Sequence, residues 1–369
     1  MKITEIKTFR MSATPHKSDT NNWLFIKIYT DAGIYGVGEG SLHYIDLGLM
    51  AEIEDFSKFL IGKDPFAIEY IWTSLYRRVT WTGGALTMSA ISAIDLALWD
   101  LKGKALGVPV FELLGGKVRD AIPVYANGWF EDAVTPDEHA EAAIKTVESG
   151  FPCLKFYPFK GQYVTTPERI KTGVELVAAV REAVGPDVHL MVDAHGRFDL
   201  PQAKRLAQRF EEFDLYFMEE PLPPENLDAY VELKRSTRTP IATGERYVAR
   251  FQFRELLEKF CCDYIQPDAI YTGGMNELRK IAAMAEAYYC PVVPHNCNGP
   301  VCTAASIHAA ACMPNFRILE YIPVPERKDV LIEPLVMKDG AFALPTKPGL
   351  GVELNKDCLL YTSPSPRDS

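Results

Sequence analysis

Leu190-Met191-Val192-Asp193, Tyr216-Phe217-Met218-Glu219 and Ile241-Ala242-Thr243-Gly244-Glu245 are three short apolar runs that each close on an acid. The acids stand at positions 193, 219 and 245, an interval of 26 residues both times, enough for one strand, one loop and one helix. Outward from this stretch the same texture begins near residue 122 and repeats, with strand ends near Asn127, Tyr157, Asp193, Glu219, Glu245, Gln266, His295 and Glu320. Eight strand ends predict an α/β fold of the (β/α) barrel type. An open doubly wound sheet would want a glycine-rich phosphate turn after its first strand, and Val124-Tyr125-Ala126-Asn127-Gly128-Trp129 is not one. Helix signals agree: Thr135, Pro136 and Glu138 predict a capping box, Thr165 with Glu168 a second, and Gly150 and Gly185 fall where helices should stop.

Upstream, Ile3 to Arg10, Trp23 to Tyr29 and Ile34 to Glu39 alternate like strands, with Asp31-Ala32-Gly33 as the turn of a hairpin. Helical patterns follow at about 47–60, 66–79 and 86–106, the last rich in small residues that suggest close packing against a neighbour. Leu113-Leu114-Gly115-Gly116 marks a boundary. The final stretch, Tyr361 to Ser369, is polar, proline-punctuated and without a core pattern.

Composition excludes several function classes. With 24% charged residues and no apolar run near the roughly 20 residues of a membrane helix, a membrane role is not expected. The opening MKITEIKTFR lacks the apolar core of a secretory signal, so the cytoplasm is the expected location. A formal charge of −10 with no basic stripe argues against a nucleic-acid partner. Eight cysteines without a C-x-x-C pair read as reduced and mostly buried.

Functional side chains of such a barrel sit at the C-terminal strand ends, so Asp193, Glu219 and Glu245 should face one cavity. Three anions there would repel each other unless a cation neutralised them, and all-oxygen ligation suits Mg²⁺. His195 lies two residues after Asp193 and shares its side if the strand stays extended. His295 ends the seventh strand, where Asp268 can accept a hydrogen bond from it and raise its basicity. Lys155 and Tyr157 end the second strand on one face, the lysine to balance a substrate carboxylate and the tyrosine to donate a hydrogen bond. Glu320 has two readings: protonated, it bonds a bound carboxylate; ionised, it pairs with a neighbouring arginine. Arg246 and Arg197 each follow a metal candidate, to bind substrate anion or to brace the ligands.

These residues resemble the enolase superfamily, and within it the mandelate racemase subgroup, over nearly the whole chain. The matching stretches are Val192 to Phe198, Met218-Glu219-Glu220-Pro221, Thr243-Gly244-Glu245-Arg246, Gln266-Pro267-Asp268 with Gly273-Gly274, and Pro294-His295-Asn296. The resemblance implies a (β/α)7β barrel under an N-terminal α+β capping domain, with Mg²⁺ on Asp193, Glu219 and Glu245, one ion per subunit, and Glu220 behind the ligands. It divides the chain into a capping domain at 1–118, a barrel at 119–335 and a C-terminal segment at 336–369 returning to the capping domain. It also implies a homo-oligomer, a dimer or an octamer.

Closer still, Asp193-x-His195 with Val124 to Trp129 and Lys155 to Phe159 looks like the sugar-acid dehydratases of the gluconate and galactonate kind. Where the racemases carry the second lysine of a Lys-x-Lys pair, this chain has Tyr157, which disfavours two-base racemisation. The resemblance implies that His295, paired with Asp268, removes the C2 proton and His195 protonates the departing C3 hydroxyl, while Lys155 and a protonated Glu320 help stabilise an enediolate. Substrate choice is expected from the capping domain, through the loop Pro15 to Trp23 with His16, Lys17, Asn21 and Asn22, and through Trp81-Thr82-Gly83-Gly84; His16, Trp23, Trp81 and Arg246 are the expected substrate contacts. An epimerase, a racemase or a lactone cycloisomerase of the same superfamily is the alternative, and a non-catalytic binding protein on this scaffold the third reading. The zinc-dependent amidohydrolases would need a His-x-His pair on the first barrel strand, which Val124 to Asn127 lacks.

Overall fold

The structure, a computed structural model, describes residues 1–12, 22–78, 80–159, 166–323 and 326–355. His16, Lys17 and Asn21 of the expected substrate loop, Thr165 of the expected second capping box, Cys358 and the proline-punctuated tail lie outside them.

The alternating runs form a three-stranded antiparallel sheet, β1 (Ile3–Ser12), β2 (Asn22–Thr30) and β3 (Tyr35–Glu39), turned at Gly33 with φ 75°. Helices α1 (Asp46–Leu60), α2 (Ile68–Arg77) and α3 (Ala85–Leu106) follow, then the single turn α4 (Val110–Leu113). The small residues of α3 meet glycines. A Cβ on Gly36 would stand 1.9 Å from the Ala97 carbonyl, and one on Gly38 2.0 Å from that of Ala93, so β3 and α3 touch backbone to backbone.

The barrel strands are β4 (Ala121–Ala126), β5 (Cys153–Phe156), β6 (His189–Asp193), β7 (Phe217–Glu219), β8 (Ile241–Thr243) and β9 (Tyr264–Ile265), paired in parallel in chain order. The expected seventh strand is reduced to Val292, which bridges Ile265 on one side and Phe316 on the other. Pro291 and Pro294 flank it and cannot donate to a ladder, which keeps the pairing short. The last strand, β10 (Leu319–Tyr321), pairs with β4 and closes the ring. Seven helices alternate with the strands: α5 (Pro136–Glu148), α6 (Pro167–Val184), α7 (Leu200–Phe210), α8 (Leu227–Arg235), α9 (Ala249–Glu258), α10 (Met275–Ala287) and α11 (Pro300–Ala311). α5 starts with the expected capping box of Thr135 and Glu138. The cap of α6 falls one residue later than expected, with Thr166 accepting from the Arg169 N–H and Pro167 at the first helical position. Gly150 and Gly185 close these helices at φ 103° and 74°. After the short helix α12 (Glu326–Asp329), the hairpin of β11 (Met337–Lys338) and β12 (Ala341–Ala343) pairs with the start of β4, and Leu350 then donates to Asp100 of α3 at 2.8 Å.

Buried carboxylates and an indole hold the capping domain over the barrel. Glu39 accepts from the N–H groups of Gly299 (2.6 Å) and Cys302 (2.8 Å) at the start of α11. Asp95 of α3 accepts from Asn276 at the start of α10 at 3.4 Å, and Trp72 Nε1 donates to the Gly273 carbonyl at 2.7 Å. The seven described cysteines are free thiols, and among the described residues no helix is long and apolar enough to cross a membrane.

Candidate active site

The interior of the ring is plugged by Tyr125, Cys153, Met191, Phe217, Ala242, Val293 and Ile318. Side chains two apart on a strand share a face, so six of these put a polar residue directly above themselves. Those residues are Asn127, Lys155, Asp193, Glu219, His295 and Glu320. Ala242 is the exception: β8 ends at Thr243, Gly244 turns at φ 141°, and Glu245, three residues on, enters the ring instead.

Asp193, Glu219 and Glu245 bring one carboxylate oxygen each to within 4.8 Å of one another. Lys155 stands among them, its Nζ 2.7 Å from Glu219, 2.9 Å from Glu320 and 3.5 Å from Asp193. Burial opposes its charge, but Glu219 and Glu320 hold it protonated well above the usual lysine range. Burial, then repulsion from Asp193, pushes Glu219 up to about 8; burial, then Glu220, pushes Glu245 up to about 7. Asp193 goes the other way: against its burial, His195 and Lys155 hold it below its usual range. Oε1 of Glu219 is buried with no hydrogen-bond partner among the described residues. A convergent all-oxygen set with an orphaned carboxylate oxygen and excess negative charge fits a hard divalent cation.

The two histidines flank this triad. His195 Nε2 lies 3.1 Å from Asp193 Oδ2, whose charge raises the ring to about 9. The reason for its position differs from the expectation, because β6 ends at Asp193 and His195 is left-handed at φ 48° rather than extended. At the other end His295 Nδ1 lies 2.6 Å from Asp268 Oδ2, and its Nε2 lies 3.4 Å from Glu245. Burial would lower this ring, yet Cys297, Glu245, Glu320 and Asp268 hold it well above its ordinary value.

Other expected residues take different places. Glu320, expected to be protonated or paired with an arginine, is paired with Lys155; against its burial, Lys155 and His295 hold it down to about 2, so it is ionised in this arrangement. Arg246, expected either to bind substrate anion or to brace the ligands, has its Nη2 2.6 Å from the buried carboxylate of Glu220 and braces that residue. Trp23 is 3% exposed and packs near Phe25 in the core, because both faces of β2 are covered; it is not a surface for substrate. Asn22 also turns inward, donating to Asp46. Trp81 is 87% exposed. The Tyr157 ring stacks obliquely 4.5 Å from His195, and its hydroxyl, which burial pushes up to about 12, is buried without a hydrogen-bond partner among the described residues.

Sequence reading assigned no role to Asn127, whose Nδ2 donates to Glu320 Oε1 at 2.6 Å, or to Asn296, whose backbone N–H donates to Glu320 Oε2 at 3.0 Å. The signal was present for the first: Asn127 is the polar residue two after the plug residue Tyr125.

Residues 2–115 match the model of the mandelate racemase / muconate lactonizing enzyme N-terminal domain, and residues 127–358 match that of the enolase C-terminal domain-like family. The chain belongs to the enolase superfamily. Its relatives there include the D-galactonate dehydratase of Pectobacterium atrosepticum, 39% identical over all of this chain and 96% of that protein. The D-xylonate dehydratase of Haloferax volcanii is 38% identical over 91% of this chain and 84% of that one. A crystal structure from Mesorhizobium loti superposes with a TM-score of 0.93 at 39% identity, covering 99% of both chains. Members of the enolase superfamily use Mg²⁺, and the carboxylate triad of this chain is a set able to hold a metal ion.

Proposed function

We propose that the protein dehydrates a sugar acid of the aldonate class, such as galactonate, gluconate or xylonate, to the corresponding 2-keto-3-deoxy acid. The observation that carries this is the pairing of each histidine with its own carboxylate at opposite ends of one acidic triad, in a chain this similar to D-galactonate and D-xylonate dehydratases.

Asp193, Glu219 and Glu245 are the residues that would hold one Mg²⁺. When bound, that ion supplies electrostatic stabilisation for the negative charge that develops on the substrate carboxylate. Lys155, held protonated, adds a second positive charge to the same pocket. Asp268 accepts the Nδ1 proton of His295 and fixes the ring; Glu245, one of the carboxylates that hold this ring protonated, is a ligand whose charge the cation would offset, and Nε2 would then be free to accept the C2 proton. As the C2–H electrons move into the enediolate and on to the C2–C3 double bond, the C3–O bond breaks. His195 gives its proton to the leaving hydroxide, so water departs and the enol tautomerises to the keto acid. Glu320, as a carboxylate fixed by Lys155, Asn127 and the Asn296 N–H, orients Lys155 rather than donating a proton itself. Buried surroundings keep the developing charge away from bulk water.

A panel of aldonic and aldaric acids, incubated with Mg²⁺ and assayed for 2-keto acid with semicarbazide, tests the reaction. Keto acid from at least one five- or six-carbon aldonate is the expected result. An isomerised acid without keto product would select the epimerase or cycloisomerase reading instead, and failure to bind Mg²⁺ at millimolar concentration would favour a binding protein.

A further inference from the structure

We propose that the guanidinium of Arg327 is a binding site for a small monatomic anion of the chloride type, set behind the strand end that carries Glu320. Arg327 lies on α12 and is 4% exposed. Its Nη1 donates to Thr303 Oγ1 at 3.2 Å, whereas Nε and Nη2 are buried without a hydrogen-bond partner among the described residues. Arg327 lines a small pocket together with Pro300, Thr303, Tyr321, Lys328, Pro334 and Leu335, with room for about one water-sized sphere.

A guanidinium stays charged at any pH the protein meets, and a buried charge without a counter-ion is strongly unfavourable. The acid that acts on it, Glu39, does not touch it; that carboxylate is engaged by the N–H groups of Gly299 and Cys302 and by the Ser41 hydroxyl. Burial also pushes Glu39 up to about 7, so near neutral pH it supplies only part of a charge. The other lining residues supply no carboxylate. The Tyr321 ring, 5.3 Å from the guanidinium carbon, and the prolines make the remaining walls apolar and narrow. Two unpaired N–H donors, local positive charge and this size select a halide over a phosphate or a carboxylate.

The site reaches the active site through three hydrogen-bonded links. Thr303 Oγ1 accepts from Arg327 and also from Asn296 Nδ2 at 3.1 Å, and Asn296 donates to the Glu320 carbonyl at 2.9 Å and to its carboxylate at 3.0 Å. An anion that fixes the guanidinium plane therefore fixes Glu320, and through it Lys155. Arg327 is a positioning residue, remote from the reacting atoms.

The test compares wild type, Arg327→Met and Thr303→Val in halide-free buffer containing magnesium methanesulfonate, with sodium methanesulfonate exchanged for NaCl or NaBr at constant ionic strength. The wild-type melting temperature should rise by several degrees and saturate with either halide, and its kcat should rise severalfold with KM little changed. Arg327→Met should show neither response. Thr303→Val, which keeps the guanidinium and breaks the relay, should keep the melting response and lose the kcat response. A flat wild-type melting curve, or an equal gain in Arg327→Met, would overturn the proposal and assign the pocket to water. If Arg327→Met does not fold, wild-type crystals in bromide decide: an anomalous peak within hydrogen-bond distance of Nε or Nη2 supports the site, and no peak there overturns it. The melting arm is independent of the reaction proposed above, so its outcome separates the anion site from the dehydratase reading.

Discussion

At the scale of single residues, Asn127, Lys155, Asp193, Glu219, His295 and Glu320 each stand two positions beyond a side chain that plugs the barrel. That alternation made Asp193, Glu219, Lys155 and His295 legible in the sequence, because strand-end position depends only on a local period of two; Glu245 and His195 reach the same cavity through the turns at Gly244 and at His195 itself, beyond the strand ends. What a side chain pairs with was less legible. Glu320 met Lys155 from two strands away, on the other side of β4, Arg246 met Glu220, and Trp23 went into the core, each decided by contacts between different elements of the fold. The assignment of His295 leads to a residue-scale prediction. His295→Asn, which keeps the size and an Nδ-type donor but cannot accept a proton, should lower kcat by about 10²–10⁴-fold. The same variant should lose exchange of the substrate α-proton with solvent deuterium; exchange at the wild-type rate would move the base elsewhere.

Elements were legible where the signal lay in their ends. The capping box at Thr135, the glycine stops and the small-residue face of α3 match the structure, since caps and close approach are set by neighbours in sequence or by side-chain size. The seventh strand was read too long because its apolar run hid two prolines that cannot pair. The contacts between capping helices and barrel helices left no sequence signal, and Asp95 is their clearest case. Burial, only partly offset by the Asn276 and Met275 N–H groups, raises its carboxyl to about 7 from an ordinary value of about 4. A raised folded value means that its stabilisation is fully present at acid pH and is lost as pH climbs through about 7. The unfolding free energy of wild type relative to Asp95→Asn should therefore fall between pH 4 and pH 7.5. Urea melts at four or five pH values measure this; curves that stay parallel would show that Asp95 is already ionised in the folded protein.

For the whole molecule, the capping sheet and helices, the closed ring and the returning C-terminal segment form one support for a single acidic cavity. The two-layer plan was legible from the change of texture near residue 115; of the loop expected to select substrate, Asn22 and Trp23 lie among the described residues and both face inward. The triad predicts linkage of folding to metal. Millimolar Mg²⁺ should stabilise wild type by about 2.7 kcal/mol at a hundred times its Kd, chelation should reverse the gain, and Glu219→Gln should abolish it, as thermal melts in Mg²⁺ and in chelator will show. The proposed reaction is loss of water from C2 and C3 with the proton taken by one histidine and the hydroxyl protonated by the other. NMR of galactonate, gluconate and xylonate incubated with the Mg²⁺-loaded enzyme in D₂O tests it most directly. The account predicts a 2-keto-3-deoxy acid that carries one deuterium at C3; deuterium at C2 of an acid that keeps its C3 hydroxyl, with no keto product, would contradict it.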